Sequence, residues 1–95
     1  MDIGNTIREL RRKKGLKQGE LANKSDISQA YLSKIENNSK EPTITSLKAI
    51  ALSLDVPLPI LFFHSLTPED IDPDKREAFK ILLPSIKGMV ESFVL

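Results

Sequence analysis

Apolar residues recur along this chain at spacings of three and four, and over no useful length do they alternate with a period of two. The pattern predicts helices and no sheet. Ile3, Ile7 and Leu10 mark a first helix, with Asp2 as its N-cap and Gly15 as a left-handed stop. A short second helix runs from about Gln18 to Lys24 and turns Leu21 and Ala22 inward. A third begins after Ser28 as N-cap and buries Leu32 and Ile35. The segment Asn38-Ser39-Lys40-Glu41-Pro42 reads as a loop, after which Thr43 caps a fourth helix. That helix carries Ile44, Leu47, Ile50, Ala51 and Leu54, the cleanest stripe in the chain. Pro57 opens a fifth helix that packs Leu61 and Phe62.

From Ser65 to Asp74 the composition shifts to Thr, Pro, Asp and Glu, which reads as a linker or exposed loop. Beyond it Phe79, Leu82, Leu83, Ile86, Met89, Val90 and Phe93 share one helical face. Pro84 interrupts the pattern, and either kinks one helix or opens a second. The expected organisation is therefore a helical domain over 1–64, a linker over 65–74 and an amphipathic helical extension over 75–95.

Composition narrows the class. A length of 95 residues suits one domain with an adequate core, and 40% hydrophobic with 28% charged residues marks a soluble globular chain. The longest mainly apolar run, Val56 to Phe63, holds two prolines and is far short of the roughly 20 residues that span a bilayer. No basic leader precedes an apolar core, so no secretion signal is expected and the default home is the cytoplasm. The absence of cysteine removes disulfides, thiolate metal sites and thiol nucleophiles together.

Net charge is +1, but it is unevenly spread: residues 1–48 hold ten Lys/Arg against six Asp/Glu, whereas 49–95 hold four against seven. A basic front of +4 and an acidic back of −3 fit a front half that faces a polyanion. Chance is the competing explanation at counts this small.

The third helix sharpens the picture. At roughly 100° per residue, Leu32, Ile35 and Glu36 fall on one side and Ala30, Ser33, Lys34 and Asn37 on the other. Gln29 and Tyr31 flank the boundary. Short donors and acceptors replace the long Lys and Glu of ordinary solvated surface. Two short helices joined by a tight turn, the second so decorated, form a helix-turn-helix. In such a unit Gln29 can pair with adenine, Lys34 can donate to guanine, and Ala30 can touch a thymine methyl. An isolated solvated helix would show the same face, so the neighbouring segments decide.

Those neighbours carry a resemblance. Ile7-Arg8-Glu9-Leu10-Arg11, Lys14-Gly15-Leu16-Lys17-Gln18 and Glu20-Leu21-Ala22 resemble the Cro/C1-type helix-turn-helix regulators. Ile27-Ser28, Tyr31 to Glu36, Pro42-Thr43, Leu47, Ile50-Ala51 and Leu54 to Pro57 continue in the same register, so the likeness covers residues 3–63. It implies an all-α fold: a five-helix lambda-repressor-like DNA-binding domain, here with a helical C-terminal extension. It also implies that Gln18 holds a phosphate while Ser28, Gln29, Ala30, Ser33 and Lys34 face base edges. Tyr31 would touch the DNA backbone, and Asn38, Ser39 and Lys40 would approach phosphates across the groove. Arg11 and Glu36 would form a partly buried structural ion pair. The chain departs from the family where Asp26 and Asn38 occupy left-handed turns that often hold glycine, Lys17 replaces a Ser or Thr cap, and Gly19 sits inside a helix.

Other features read plainly. Arg11-Arg12-Lys13-Lys14 is either a polyanion patch or the usual gathering of cations at a helix C-terminus. His64 lacks a second histidine or a cysteine, and Glu69, Asp70, Asp72 and Asp74 lack the spacing of a calcium loop. No metal, no cofactor and no catalytic set is expected. The C-terminal stripe either covers the five-helix core or dimerises; dimerisation is preferred, because one small module makes few contacts for tight DNA binding. The sequence thus predicts a repressor-like regulator acting as a homodimer on a near-palindromic operator. The alternative is an antitoxin-like interaction module whose last helix binds a protein partner.

Overall fold

In the computed structural model, which describes residues 1–94, six α-helices follow one another without a strand among the described residues. Helix α1 spans Ile3–Lys13, α2 Gln18–Lys24, α3 Gln29–Glu36, α4 Ile44–Ser53, α5 Leu58–Ser65 and α6 Arg76–Val94.

The helix starts are set by caps. Asp2 accepts the Asn5 N–H at 3.1 Å, Ser28 that of Tyr31 at 3.0 Å, and Thr43 that of Ser46 at 3.0 Å. Each satisfies one of the orphan donors of a first turn. Lys17 offers α2 no acceptor; instead Glu20 reaches back to the Lys17 N–H at 3.0 Å. The ends use left-handed residues: Gly15 at φ 71°, Asp26 at 55°, Asn38 at 58° and Asp55 at 57°. Asp55 was not foreseen, although aspartate is among the residues most tolerant of that backbone region.

Ile7, Leu10, Leu21, Leu32, Ile50, Leu54 and Leu61 are wholly buried and form the centre of one core, joined by Ile35, Leu47, Ala51 and Val56. Each of the Leu, Ile and Val side chains among them contributes roughly 1.5–3 kcal/mol by leaving water. Ile44 is the exception in the α4 stripe, 58% exposed. It sits in the first turn, before the helix reaches the core.

Residues 66–75 hold two 3-10 turns, Pro68–Asp70 and Pro73–Lys75. Asp70 accepts from the Thr67 N–H at 2.8 Å, and the Arg76 guanidinium donates to the Pro68 carbonyl at 2.8 Å. The segment read in sequence as a linker or exposed loop is thus hydrogen-bonded both within itself and to α6.

Helix α6 runs through Pro84 as one helix against α5. Phe79 and Val90 turn inward, and Val90 joins the core cluster. These two residues, grouped in sequence with a dimerising face, cover the chain's own core instead. Leu83 and Ile86 are half-buried. Leu82, Met89 and Phe93 are exposed, as is Ile81, which the stripe had omitted. Lys13 pairs with Glu91 at 3.0 Å, and Lys14 donates to the Phe93 carbonyl at 3.2 Å. Two of the four cations clustered at the end of α1 thus hold α6.

Candidate nucleic-acid interface

Helix α3 is built to be held from behind. Its inner face supplies Leu32 and Ile35 to the core, and its last residue, Glu36, is buried although charged. Arg11 of α1 meets that carboxylate with both arms, Nε at 2.8 Å from Oε2 and Nη2 at 3.0 Å from Oε1. The same guanidinium donates to the Leu16 carbonyl at 2.9 Å. A planar fork against a carboxylate fixes orientation as well as distance. The buried pair therefore locks α1, the α1–α2 turn and the end of α3 together.

Two further braces were not foreseen. Arg8 donates to the Glu36 carbonyl at 3.0 Å and to Asn37 Oδ1 at 2.6 Å, capping the C-terminus of α3. Gly4 lets α1 approach that same end: a Cβ there would overlap the Ile35 carbonyl. Asn38 joins the two helices, accepting the Gly4 N–H at 3.2 Å and donating to Asp2 at 2.8 Å. Hydrogen bonds from Asn38 and then from the Asn5 N–H hold the Asp2 carboxyl below the ordinary aspartate range. A glycine inside an otherwise apolar-periodic helix was the available signal for the close approach; Arg8 carried none beyond its charge.

On the outer side, Ser28, Gln29, Ala30 and Lys34 are exposed and Ser33 is half-buried. An α-helix with its side chains is about 10–12 Å across, which fits a DNA major groove about 12 Å wide. Tyr31 leans toward the start of α4, where its hydroxyl accepts from Ser46 Oγ and from the Thr43 N–H, both at 3.4 Å. Those bonds, Ser46 first, hold the phenol below its usual pKa. The Lys40 ammonium lies 5.4 Å from the Tyr31 ring centroid, a cation–π distance. Ser39 donates to the Lys34 carbonyl at 3.1 Å, continuing the exposed edge from α3 into the loop.

Gln18, at the start of α2, stands between the buried pair and this face. Its amide donates to Glu36 at 3.3 Å and accepts from Gln29 at 3.4 Å. Among the described residues no group of His, Asp and Glu is placed to hold a metal ion. His64 closes α5 with Nε2 at 3.2 Å from Glu9. Among the described residues no single helix is long and apolar enough to cross a membrane.

Two short helices at a tight turn, clamped to α1 and presenting short polar side chains outward, define a helix-turn-helix domain. A family model described as helix-turn-helix matches residues 7–61, and the chain belongs to that family, in its Cro/C1-type branch. It is similar to the HTH-type transcriptional regulator SutR of Escherichia coli K12, at 33% identity over 76 residues. That match takes in 78% of this chain but only 43% of SutR. Among solved structures it is similar to the biofilm master regulator SinR in complex with DNA: TM-score 0.60, 38% identity, 63% of this chain and 97% of that one. A SinR–SinI protein complex aligns over 87% of this chain and 80% of that one, at 31% identity and TM-score 0.63.

Proposed function

We propose that this chain is a sequence-specific DNA-binding transcriptional regulator of the cytoplasm, a repressor that seats α3 in the major groove and performs no catalysis. The observation that carries the reading is the buried Arg11–Glu36 clamp behind an outward face of Ser28, Gln29, Ala30, Ser33 and Lys34. A buried charge pair contributes little net stability, so its value lies in holding that face still. The SinR structure solved with DNA supports the same reading.

In this scheme Gln29 and Lys34 read bases, with Ser28, Ala30 and Ser33 allowing close approach. Gln18, Tyr31, Ser39 and Lys40 approach phosphates. Asn38, whose amide is already engaged by Gly4 and Asp2, sets the loop and adds at most a backbone contact.

The chain acts as a homodimer on a near-palindromic operator, because two modules on half-sites about 34 Å apart supply the contacts that one lacks. The outward side of α6, with Ile81, Leu82, Met89 and Phe93, is the dimer surface. A protein partner on the same helix is the second reading, favoured by the alignment to the SinR–SinI complex across most of this chain.

Selection of bound duplexes from a randomised library, followed by mobility shifts over a salt series, tests the proposal. Binding should weaken steeply with salt. Gln29→Ala and Lys34→Ala should each relax base preference at one position. Lys40→Ala should weaken every duplex alike and lower the salt slope by about one. Binding that ignores salt, or no binding at low salt, would overturn the reading.

A further inference from the structure

Resting on the homodimer reading, we infer that two copies exchange the ends of α6. Past a hinge at Pro84, residues 85–93 of each chain dock on the α1–α5 body of the other. The exchange keeps the contacts that the closed chain makes and adds one that it lacks.

The hinge comes from the backbone. Proline donates no N–H, so the Lys80 carbonyl, four residues back, loses its partner in the helical ladder. Gly88 follows about one turn later, and glycine is the poorest helix former after proline. A Cβ at Gly88 would meet nothing within 4 Å, so no close packing calls for a glycine there. The two weakest helical positions of α6 thus stand side by side, and helices bend sharply at such places.

Beyond the hinge, the end of α6 behaves as a plug. Val90, 1% exposed, joins the core cluster, whose other members all lie between Ile7 and Leu61. Glu91 meets Lys13 at 3.0 Å, and the Phe93 carbonyl accepts from Lys14 at 3.2 Å. Each of these contacts reaches the α1–α5 body, so the same segment of a second copy fits the same seat.

What stands just before the hinge makes a second copy the occupant. Ile81 and Leu82 are 78% and 58% exposed, large apolar side chains left to water in the closed chain. Two chains that exchange their ends cross at a two-fold axis, where residues beside the crossing meet their own copies. The exchange therefore buries Ile81 and Leu82 against the same residues of the second copy, and this burial favours the exchanged form.

The test uses the full chain, which has no cysteine of its own. In Lys13→Cys/Glu91→Cys the replaced side chains are 41% and 50% exposed, and an exposed pair contributes little to folding. Chains labelled with light and heavy nitrogen are mixed, unfolded, refolded together, joined with a short bismaleimide and digested for mass spectrometry. With the ends exchanged, about half of the peptides linking positions 13 and 91 should join a light chain to a heavy one. If every such link joins like to like while size exclusion shows a dimer, the exchange is refuted and the homodimer stands. If the chain is a monomer at every concentration, the homodimer reading falls, and the exchange with it. Pro84→Ala returns a partner to the Lys80 carbonyl and favours the unbroken helix. It should lower the dimerisation constant by at least about tenfold. An unchanged constant would refute the hinge.

Discussion

The clamp between Arg11 and Glu36 can be broken from either side, and the two breaks should differ in size. Removing one partner of a buried ion pair costs about 3–5 kcal/mol, because the other charge is left without compensation. With Arg11→Met, Glu36 keeps the Gln18 amide at 3.3 Å and the Arg8 guanidinium at 3.7 Å. The cost should fall near the lower end, about 3 kcal/mol. With Glu36→Leu, the Arg11 guanidinium, 10% exposed, keeps only the Leu16 carbonyl. Here the cost should approach about 5 kcal/mol. For a domain of this size each kcal/mol lowers Tm by about 4–8 °C, so drops of at least about 12 and 20 °C follow. The double variant Arg11→Met/Glu36→Leu exchanges the pair for two apolar side chains and should cost less than either single change. Thermal and urea unfolding followed by circular dichroism would measure all three. Single costs below about 1 kcal/mol, or costs that simply add in the double variant, would refute the view that the pair acts as one buried unit.

Two of the three non-glycine left-handed residues, Asp26 and Asn38, should respond oppositely to glycine. Asp26 at φ 55° makes no side-chain hydrogen bond among those described, so Asp26→Gly should relieve strain and raise stability by up to about 1 kcal/mol. Asn38→Gly relieves the same strain but deletes the bonds to Gly4 and Asp2, and should lower stability by about 1 kcal/mol in chemical unfolding. Gly4→Ala drives a methyl group into the Ile35 carbonyl and should cost about 1–3 kcal/mol, with amide shifts confined to α1 and the end of α3. An unchanged unfolding midpoint for that variant would show that the two helices have room to part.

What the sequence could reveal follows from the physics of each signal. Caps act locally, so Asp2, Ser28 and Thr43 could be read from three or four residues, and each caps the helix expected of it. The core positions of α1 to α3 were legible because each of these helices carries one narrow apolar stripe. Helix α6 was not, because it is apolar on two sides: Phe79 and Val90 face inward, whereas Ile81, Leu82 and Met89 face outward. Periodicity reports that a stripe exists but cannot say which side meets the core when two sides qualify. Asn38 shows the other limit. A left-handed turn was expected of it, but its bridge to Asp2 spans 36 residues, and no local pattern encodes a partner that distant.

The docking of α6 also sets an order of assembly. The contacts of Lys13 with Glu91 and of Lys14 with Phe93 close loops of 78 and 79 residues. During synthesis, α1 through α5 leave the ribosome well before the helix that covers them, and domains fold as their parts become available. Helix α3 is therefore clamped early, by Arg11 across only 25 residues. The place later filled by Val90 stays open until nearly all the described chain has emerged. A newly made molecule passes through an interval in which α3 is set while an apolar seam is bare. A chaperone, or an α6 from a chain already finished, would meet that seam before the chain's own helix arrives.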